Sequence, residues 1–227
     1  MIPLRDDIPT RITPFVTVGI IAANIVFFLL QLTQGESFSL EWGAVPRAIL
    51  FGSDAMGELG LQEPAIIPPL TIFSSMFLHG GILHILGNML FLWVFGDNVE
   101  EAMGHFRYLL FYLTCGFVAA LAHILLNPRS AIPMIGASGA ISGVLGAYIV
   151  LHPHARVRTL IFLFFFIQVV QIPAAFFLGF WFLFQVLSVG SGGGVAWLAH
   201  VGGFLAGIAL VKIFAQEKER PRIYRVH

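Results

Sequence analysis

Long apolar runs, separated by short polar breaks, constrain this chain more than any other feature of its sequence. Of its 227 residues, 58% are hydrophobic and 11% are charged, and the mean hydropathy is +0.89. A soluble domain of this size carries about 25% charged residues. The chain has too little polar surface to face water on all sides, so we expect an integral membrane protein. Its formal net charge of zero gives no indication of a nucleic-acid partner.

Six stretches are apolar enough to form transmembrane helices, and we predict an all-α, polytopic membrane fold. They cover residues 14–32, 78–95, 106–126, 137–151, 157–187 (with Pro173 inside) and 195–215. A span needs roughly 20 apolar residues to cross about 30 Å of hydrocarbon. The fourth stretch is shorter, since about 15 residues rise only about 22 Å. We therefore expect its first residue to lie below the membrane surface, where irregular backbone must line a water-filled cavity or be buried in protein.

The polar segments suggest how the chain is divided and oriented. We predict a cytoplasmic segment at 1–13, a transmembrane domain at 14–215 with an outer loop at 33–77, and a basic cytoplasmic tail at 216–227. With residues 1–13 inside, ten of the 12 Lys and Arg residues lie on the cytoplasmic side, and Arg47 and Arg129 lie outside. This bias follows the positive-inside rule. The mixed composition of the outer loop predicts short interfacial helices.

Small residues surround a serine at the start of the fourth stretch. Residues 136–143 read GASGAISG, and Gly139 and Gly143 are four apart on one helix face. Such a face lets a neighbouring helix approach closely. Ser138 would lie beside backbone N–H groups that have no partner within the helix, at the positive end of the dipole. Those are the parts of a nucleophile with a nearby oxyanion hole, although a packing motif explains the stretch equally well.

Two further groups of polar residues interrupt the apolar stretches. Residues 79–88 read HGGILHILGN, so His84 and Asn88 share a helix face. Residues 199–207 read AHVGGFLAG, which places His200 beside a small face that includes Gly203 and Gly207. Polar side chains inside a membrane are costly and are functional candidates by default.

These groups can converge at one depth, because each lies near the outer end of its helix. Close approach of the fourth and sixth helices would bring the Ser138 hydroxyl within reach of His200, which could act as a general base. His84 and Asn88 could then donate to a developing oxyanion. The alternatives are that Ser138 caps its helix or bonds a carbonyl one turn earlier, and that His84 and Asn88 only join helices. We interpret His79 as a loop or interfacial residue and Gln185 as a packing residue.

Other membrane chemistries fit the sequence less well. It contains no H-E-x-x-H, so a zinc site of that type is unsupported. The predicted span interiors carry no pair of aspartates of the kind an aspartyl protease needs. A coupled transporter usually shows buried carboxylates or an inverted repeat, and neither is visible. A channel or transporter would predict solute flux that survives loss of Ser138.

With these residues in hand, the chain resembles the rhomboid family of intramembrane serine proteases. The resemblance rests on HGGxxHxxxN at 79–88, on GASG at 136–139 and on AHxGGxxxG at 199–207, in the family's order and spacing. Residues 97–107 also resemble the family's turn after the second helix. Many relatives carry a Trp-Arg pair in the first outer loop, whereas Trp42 and Arg47 are separated here.

The resemblance implies a six-helix bundle with a short central fourth helix, and a Ser138–His200 dyad without a third acid. It implies that His84 and Asn88 stabilise the oxyanion, and that Gly136, Gly139, Gly143, Gly203 and Gly207 belong to the motifs that pack the helices. It further implies no metal or cofactor, a plasma-membrane location, and transmembrane protein substrates that enter sideways from the lipid bilayer. The alternative is a catalytically inactive relative that binds membrane-protein clients.

Overall fold

The computed structural model describes residues 1–35, 37–60, 63–163, 166–191 and 194–216. The predicted basic tail therefore lies almost wholly outside the described residues. The helices are α1 (Phe15–Gln34), α2 (Ser37–Trp42), α3 (Pro46–Phe51), α4 (Asp54–Gly57), α5 (Thr71–Ser74), α6 (Ile82–Met103), α7 (His105–Leu126), α8 (Ser138–Leu151), α9 (Ala174–Leu187) and α10 (Trp197–Phe214). The strands are β1 (Ile2–Arg5), β2 (Arg156–Leu163) and β3 (Phe166–Pro173).

The fifth predicted span is wrong in its first half. Residues 157–163 and 166–173 form most of an antiparallel β2–β3 pair, and the helix α9 begins only after Pro173. Proline is favoured at the start of a helix because it has no N–H to leave unpaired there. β2 shows alternation with a period of two, since Val157 and Thr159 are buried while Arg158 between them is partly exposed. That alternation and the β-branched residues favour a strand.

The chain is mostly helical but not all-α, because the polar segment at 1–13 contributes a strand. β1 pairs antiparallel with β2, with Pro3 opposite Thr159, and the sheet order is β1-β2-β3. The predicted outer loop, in contrast, contains the short helices α2 to α5 that its mixed composition suggested.

Helices α1, α6, α7 and α10 are long and apolar enough to cross a membrane. The helices α8 and α9 have 14 residues each, so the count of six spans stays a prediction. Many large apolar side chains point away from the protein, including Leu83, which is 86% exposed. Such a surface suits contact with lipid. The helix α6 begins four residues later and ends eight residues later than the predicted second span, since it covers Ile82–Met103.

The helix α8 lies at the centre of the bundle, and residues 140–148 are all buried. It packs against α10 through glycines that leave no room for a side chain. A Cβ added at Gly203 would lie 2.1 Å from the carbonyl oxygen of Gly139, and one at Gly207 would lie 2.0 Å from that of Gly143. The two backbones are therefore in direct contact, and this contact fixes the start of α8 relative to α10.

Carboxylates gather at the end of the bundle that is remote from Ser138, and we call this the carboxylate end (Asp6, Asp97, Glu100 and Glu101). Glu100 is fully buried. It accepts hydrogen bonds from the backbone N–H groups of Val16 and Thr17, at 2.9 and 2.8 Å. The Thr17 hydroxyl and His105 Nδ1 also donate to it, at 2.7 and 2.6 Å. These bonds hold the start of α1 against α6.

The first residues of the chain are tied to the same end. The Asp6 carboxylate accepts hydrogen bonds from the Asn98 side chain, at 2.8 Å, and from the Tyr148 hydroxyl. Thr10 donates to Asp97 at 3.1 Å, and the Arg11 N–H donates to Glu101 at 2.9 Å. The segment at 1–13 is thus docked on α6 and α8 as well as on the sheet.

Candidate active site

Ser138 is the first residue of α8, and the backbone before it is shaped by a glycine. Gly136 has φ 126°, a conformation that side chains with a Cβ rarely adopt, and its N–H donates to the Ser75 carbonyl at 2.8 Å. The turn delivers the Ser138 side chain at the helix start, beside the N–H groups of the first turn. Ser138 does not cap the helix with its hydroxyl, whereas Ser142 donates to the Ser138 carbonyl at 2.6 Å.

The Ser138 hydroxyl lies against His200 of α10. Ser138 Oγ and His200 Nε2 are 2.8 Å apart, which is hydrogen-bond distance. The contact depends on the glycine packing described above, because Gly139 directly follows Ser138 and touches Gly203, which lies about one turn after His200. The geometry is that of a hydroxyl nucleophile beside a general base.

The other ring nitrogen of His200 contacts a residue that the sequence gave us no reason to place here. His200 Nδ1 lies 2.8 Å from Oε1 of Gln185, which belongs to α9 and is only 4% exposed. Gln185 Nε2 in turn donates to the Trp181 carbonyl at 3.1 Å. The rings of Trp181 and Trp197 lie near the imidazole, with centroids 6.2 and 6.0 Å away. The only sign of this contact in the sequence was that Gln185 is an amide within an apolar stretch.

His84 lies on the opposite side of Ser138, at the start of α6. The Gly80 N–H donates to His84 Nδ1 at 3.2 Å. A neutral imidazole that accepts at Nδ1 carries its proton on Nε2. A Cβ added at Gly136 would lie 2.8 Å from His84 Nε2 and 3.5 Å from Ser138 Oγ, so Nε2 and Oγ border the same small space. This N–H can therefore donate to a group bound beside Ser138.

Asn88 is held by His79, and this corrects our interpretation of His79. His79 is 1% exposed, and its Nε2 accepts a hydrogen bond from Asn88 Nδ2 at 2.9 Å. Gln31 of α1 bonds both backbone groups of His79, at 2.8 and 3.0 Å. His79 is thus a buried residue that orients Asn88. A side-chain amide has two N–H groups, so Asn88 retains one that can donate elsewhere.

A cavity of about 500 Å³ joins these groups. Its lining includes Ser138, His200, His84 and Asn88. The remaining walls are mostly apolar or small residues from the segments 133–136 and 194–196 and from α7. The size falls within the range of small-ligand pockets, and an apolar cavity with a few convergent polar groups is the usual form of an active site. Among the described residues, no group of three or more His, Cys, Asp or Glu side chains could hold a metal ion.

Comparison with known proteins places this chain in a family. A family model described as "Rhomboid domain" matches residues 69–217. That match covers more than half of the chain and contains all four of these cavity residues. The chain therefore belongs to the rhomboid family, and it is a multi-pass membrane protein.

Three curated relatives show how far the similarity extends. "Rhomboid protease GluP" of Bacillus subtilis is 32% identical over 126 residues, which cover 54% of this chain and 22% of the relative. "Rhomboid protein 1, mitochondrial" of Saccharomyces cerevisiae is 29% identical over 177 residues, 73% of this chain and 48% of the relative. "RHOMBOID-like protein 1" of Arabidopsis thaliana is 34% identical over 152 residues, 63% of this chain and 34% of the relative. The matched region is less than half of each relative.

Proposed function

We propose that the chain is an intramembrane serine endopeptidase that hydrolyses peptide bonds in or next to transmembrane segments of other membrane proteins. One observation carries the proposal: Ser138 Oγ and His200 Nε2 are 2.8 Å apart, at the wall of a cavity within an apolar bundle. Family membership supports it, as does the word protease in the name of the Bacillus subtilis relative.

In the first half of the reaction, Ser138 Oγ attacks the carbonyl carbon of the scissile peptide bond. Its proton passes to His200 Nε2, which acts as a general base. The tetrahedral oxyanion accepts hydrogen bonds from His84 Nε2, from the remaining N–H of Asn88 and from backbone N–H groups at the start of α8. Collapse of this intermediate breaks the C–N bond, and His200 returns the proton to the leaving amine.

In the second half, water from the cavity hydrolyses the acyl-enzyme ester. His200 takes a proton from the water and returns it to Ser138 Oγ, so the dyad is restored. His200 is required as a neutral base in both halves, and we expect activity to fall on acidification as His200 becomes protonated.

Substrate recognition follows from the position of the site within the bundle. We propose that the substrate segment moves laterally from the lipid bilayer into the cavity and that its helix unwinds locally, because a helical backbone hides its carbonyl carbons from the serine. Small, helix-destabilising residues near the cleaved bond favour that unwinding. We further propose that the Ser138 end of α8 faces the outside of the cell, as the distribution of Lys and Arg predicts.

Reconstitution in liposomes tests the proposal. A model substrate with one transmembrane helix is incorporated together with the wild-type chain, with Ser138→Ala or with Ser142→Ala, and the products are identified by mass spectrometry. We expect cleavage by the wild type and by Ser142→Ala and none by Ser138→Ala. Equal cleavage by wild type and Ser138→Ala would refute the serine mechanism. Binding of the substrate helix by the folded wild type without cleavage would indicate an inactive relative that binds clients.

A further inference from the structure

Gln185 holds the imidazole of His200 from the side opposite to Ser138, and its orientation is determined by its neighbours. Its Nε2 lies 3.1 Å from the Trp181 carbonyl, and its Oε1 lies 2.8 Å from His200 Nδ1. A backbone carbonyl can only accept a hydrogen bond. If the amide were flipped, two oxygens would face each other at the Trp181 carbonyl. The amide oxygen of Gln185 therefore faces His200.

This orientation selects one tautomer of His200. An amide oxygen only accepts, so His200 Nδ1 must carry the proton, and in the neutral ring Nε2 must then carry the lone pair. Nε2 is the atom that faces the Ser138 hydroxyl. In the other tautomer, the Nδ1 lone pair would face the amide oxygen, and Nε2–H could not take a proton from the serine. Gln185 thus favours the only neutral form that can act as a base.

The rest of the structure holds Gln185 in this position. The start of α9 is fixed by hydrogen bonds from the Ala174 and Ala175 N–H groups to the carbonyls of Ala155 and Pro153, at 2.7 and 3.1 Å. Gln185 lies about three turns further along α9. Its neighbour Phe184 packs edge-on against Trp197, with ring centroids 5.8 Å apart. Burial at 4% exposure leaves the amide little room to turn away.

We propose, on the basis of the proposed function of Ser138 and His200, that Gln185 is a positioning residue that fixes the proton on His200 Nδ1 and so prepares Nε2 to activate Ser138. It makes the orienting contact that an acid makes in a three-residue serine site, but it is a neutral amide. A neutral acceptor is easier to bury in an apolar bundle than a carboxylate, because burying an unpaired charge is far more costly.

Two substitutions at Gln185 separate its hydrogen bond from its volume. Gln185→Met keeps the length of the side chain but removes the acceptor, whereas Gln185→Glu keeps an oxygen that can accept from Nδ1. Gln171→Met is the matched control, because Gln171 lies exposed on β3. The measured quantity is the rate of labelling of detergent-solubilised protein by a fluorophosphonate probe. We expect Gln185→Met to lower this rate roughly 10- to 100-fold, Gln185→Glu to restore most of it, and Gln171→Met to leave it unchanged.

Nitrogen NMR of ¹⁵N-histidine-labelled protein reads the tautomer without requiring activity. The His200 signals are the ones missing from the spectrum of His200→Gln. We expect a protonated Nδ1 and an unprotonated Nε2 in the wild type, and a mixture of tautomers in Gln185→Met. Protonation of His200 at Nε2 in the wild type would overturn the proposal. It would also be overturned if the probe labelled Gln185→Met at the same rate as the wild type.

The two measurements also separate this proposal from the proposed function. If the wild type is not labelled, the serine mechanism fails, while the wild-type spectrum still shows whether Gln185 sets the tautomer. If the wild type is labelled but His200 is protonated at Nε2, only the role of Gln185 fails. Should Gln185→Met not fold, the wild-type spectrum and the labelling rate of Gln185→Glu decide between these outcomes.

Discussion

Buried polar groups at the two ends of the helix bundle have different kinds of hydrogen-bond partners. At the carboxylate end, the Glu100 oxygens accept hydrogen bonds from the backbone N–H groups of Val16 and Thr17 and from the Thr17 and His105 side chains. At the other end, which we call the serine end (Ser138, His200, His84, Asn88, His79 and Gln185), the groups are neutral or weakly basic and bond mainly to one another. Four of them line the cavity.

The difference shows that burial of a polar residue does not by itself indicate catalysis. A buried charge must be paired or fully hydrogen-bonded, and the partners of Glu100 are groups that a helix start would otherwise leave unpaired. Its contacts therefore stabilise the fold. In the proposed mechanism, the serine end supplies a nucleophile, a base and hydrogen-bond donors around a cavity, so its contacts would change during the reaction. We expect substitutions at the serine end to reduce activity and substitutions at the carboxylate end to reduce stability.

The largest effect is expected from Ser138→Ala. It removes the nucleophile, and removal of a catalytic serine costs on the order of 10⁶-fold in kcat where the dyad or triad acts as a unit. Cleavage in liposomes should fall below detection, while the thermal unfolding temperature stays close to that of the wild type. Ser142→Ala is the control, since Ser142 is buried one turn further along α8. Comparable loss of cleavage in both variants would show a packing effect.

Glu100→Ala should have the largest effect on stability. It leaves two backbone N–H groups and the Thr17 hydroxyl without their acceptor, and breaking a buried charged network costs about 3–5 kcal/mol. Thermal unfolding in detergent measures the change. Glu101→Ala is the control, because Glu101 accepts a solvent-exposed hydrogen bond from the Arg11 N–H, and we expect a much smaller shift. An equal shift in both variants would contradict the structural role of Glu100.

His84→Phe removes a hydrogen-bond donor from the serine end without leaving a cavity in place of the side chain. The phenyl ring fills much of the volume of the imidazole but has no N–H for the oxyanion, and loss of one such donor costs about 10²–10³ in kcat. His123→Phe is the control, since His123 lines a neighbouring cavity of about 300 Å³ and not the cavity that contains Ser138. If His84→Phe lowered the unfolding temperature but left the cleavage rate unchanged, His84 would belong with the structural residues.

The smallest effect concerns the dependence of stability on pH at the carboxylate end. Burial is the main cause that raises the pKa of the Asp6 carboxyl from its ordinary value of 3.8 to about 6, and the nearby Asp97 and Asp7 also raise it. The hydrogen bond from Tyr148 opposes this shift. A folded-state pKa above the unfolded value means that the folded protein holds the proton more tightly between these two values, so stability falls as pH rises through that window.

Asp6→Asn should remove this contribution. The difference in unfolding temperature between about pH 4.5 and about pH 7 should be smaller in Asp6→Asn than in the wild type. Asp54→Asn serves as the comparison, because Asp54 is exposed on α4 and is not among the groups that shift the pKa of Asp6. An unchanged pH dependence in Asp6→Asn would show that another group is responsible.

The sequence predicted the parts of the site that depend on local spacing. His84 and Asn88 four residues apart, and small faces beside Ser138 and His200, were sufficient to propose that these residues meet. The structure brings Ser138 and His200 to hydrogen-bond distance, because the glycines of α8 and α10 let two backbones touch.

Features that depend on how elements dock were not predicted. The length and apolarity of residues 157–187 outweighed the β-branched alternation in β2 and the position of Pro173, so a strand pair was interpreted as half of a helix. Gln185 was interpreted only as a packing residue, because its contact with His200 depends on the packing of α9 against α10. His79 has no periodic pattern around it, and its backbone is held by Gln31, 48 residues earlier.

The proposed role of Ser138 is tested most directly by finding which serine reacts with an electrophilic probe. The folded wild type is treated with a fluorophosphonate probe, and the modified residue is identified by mass spectrometry, with His200→Ala treated in parallel. We expect modification at Ser138 in the wild type, none at Ser142, and none at Ser138 in His200→Ala. Modification at another serine, or equal modification of Ser138 with and without His200, would contradict it.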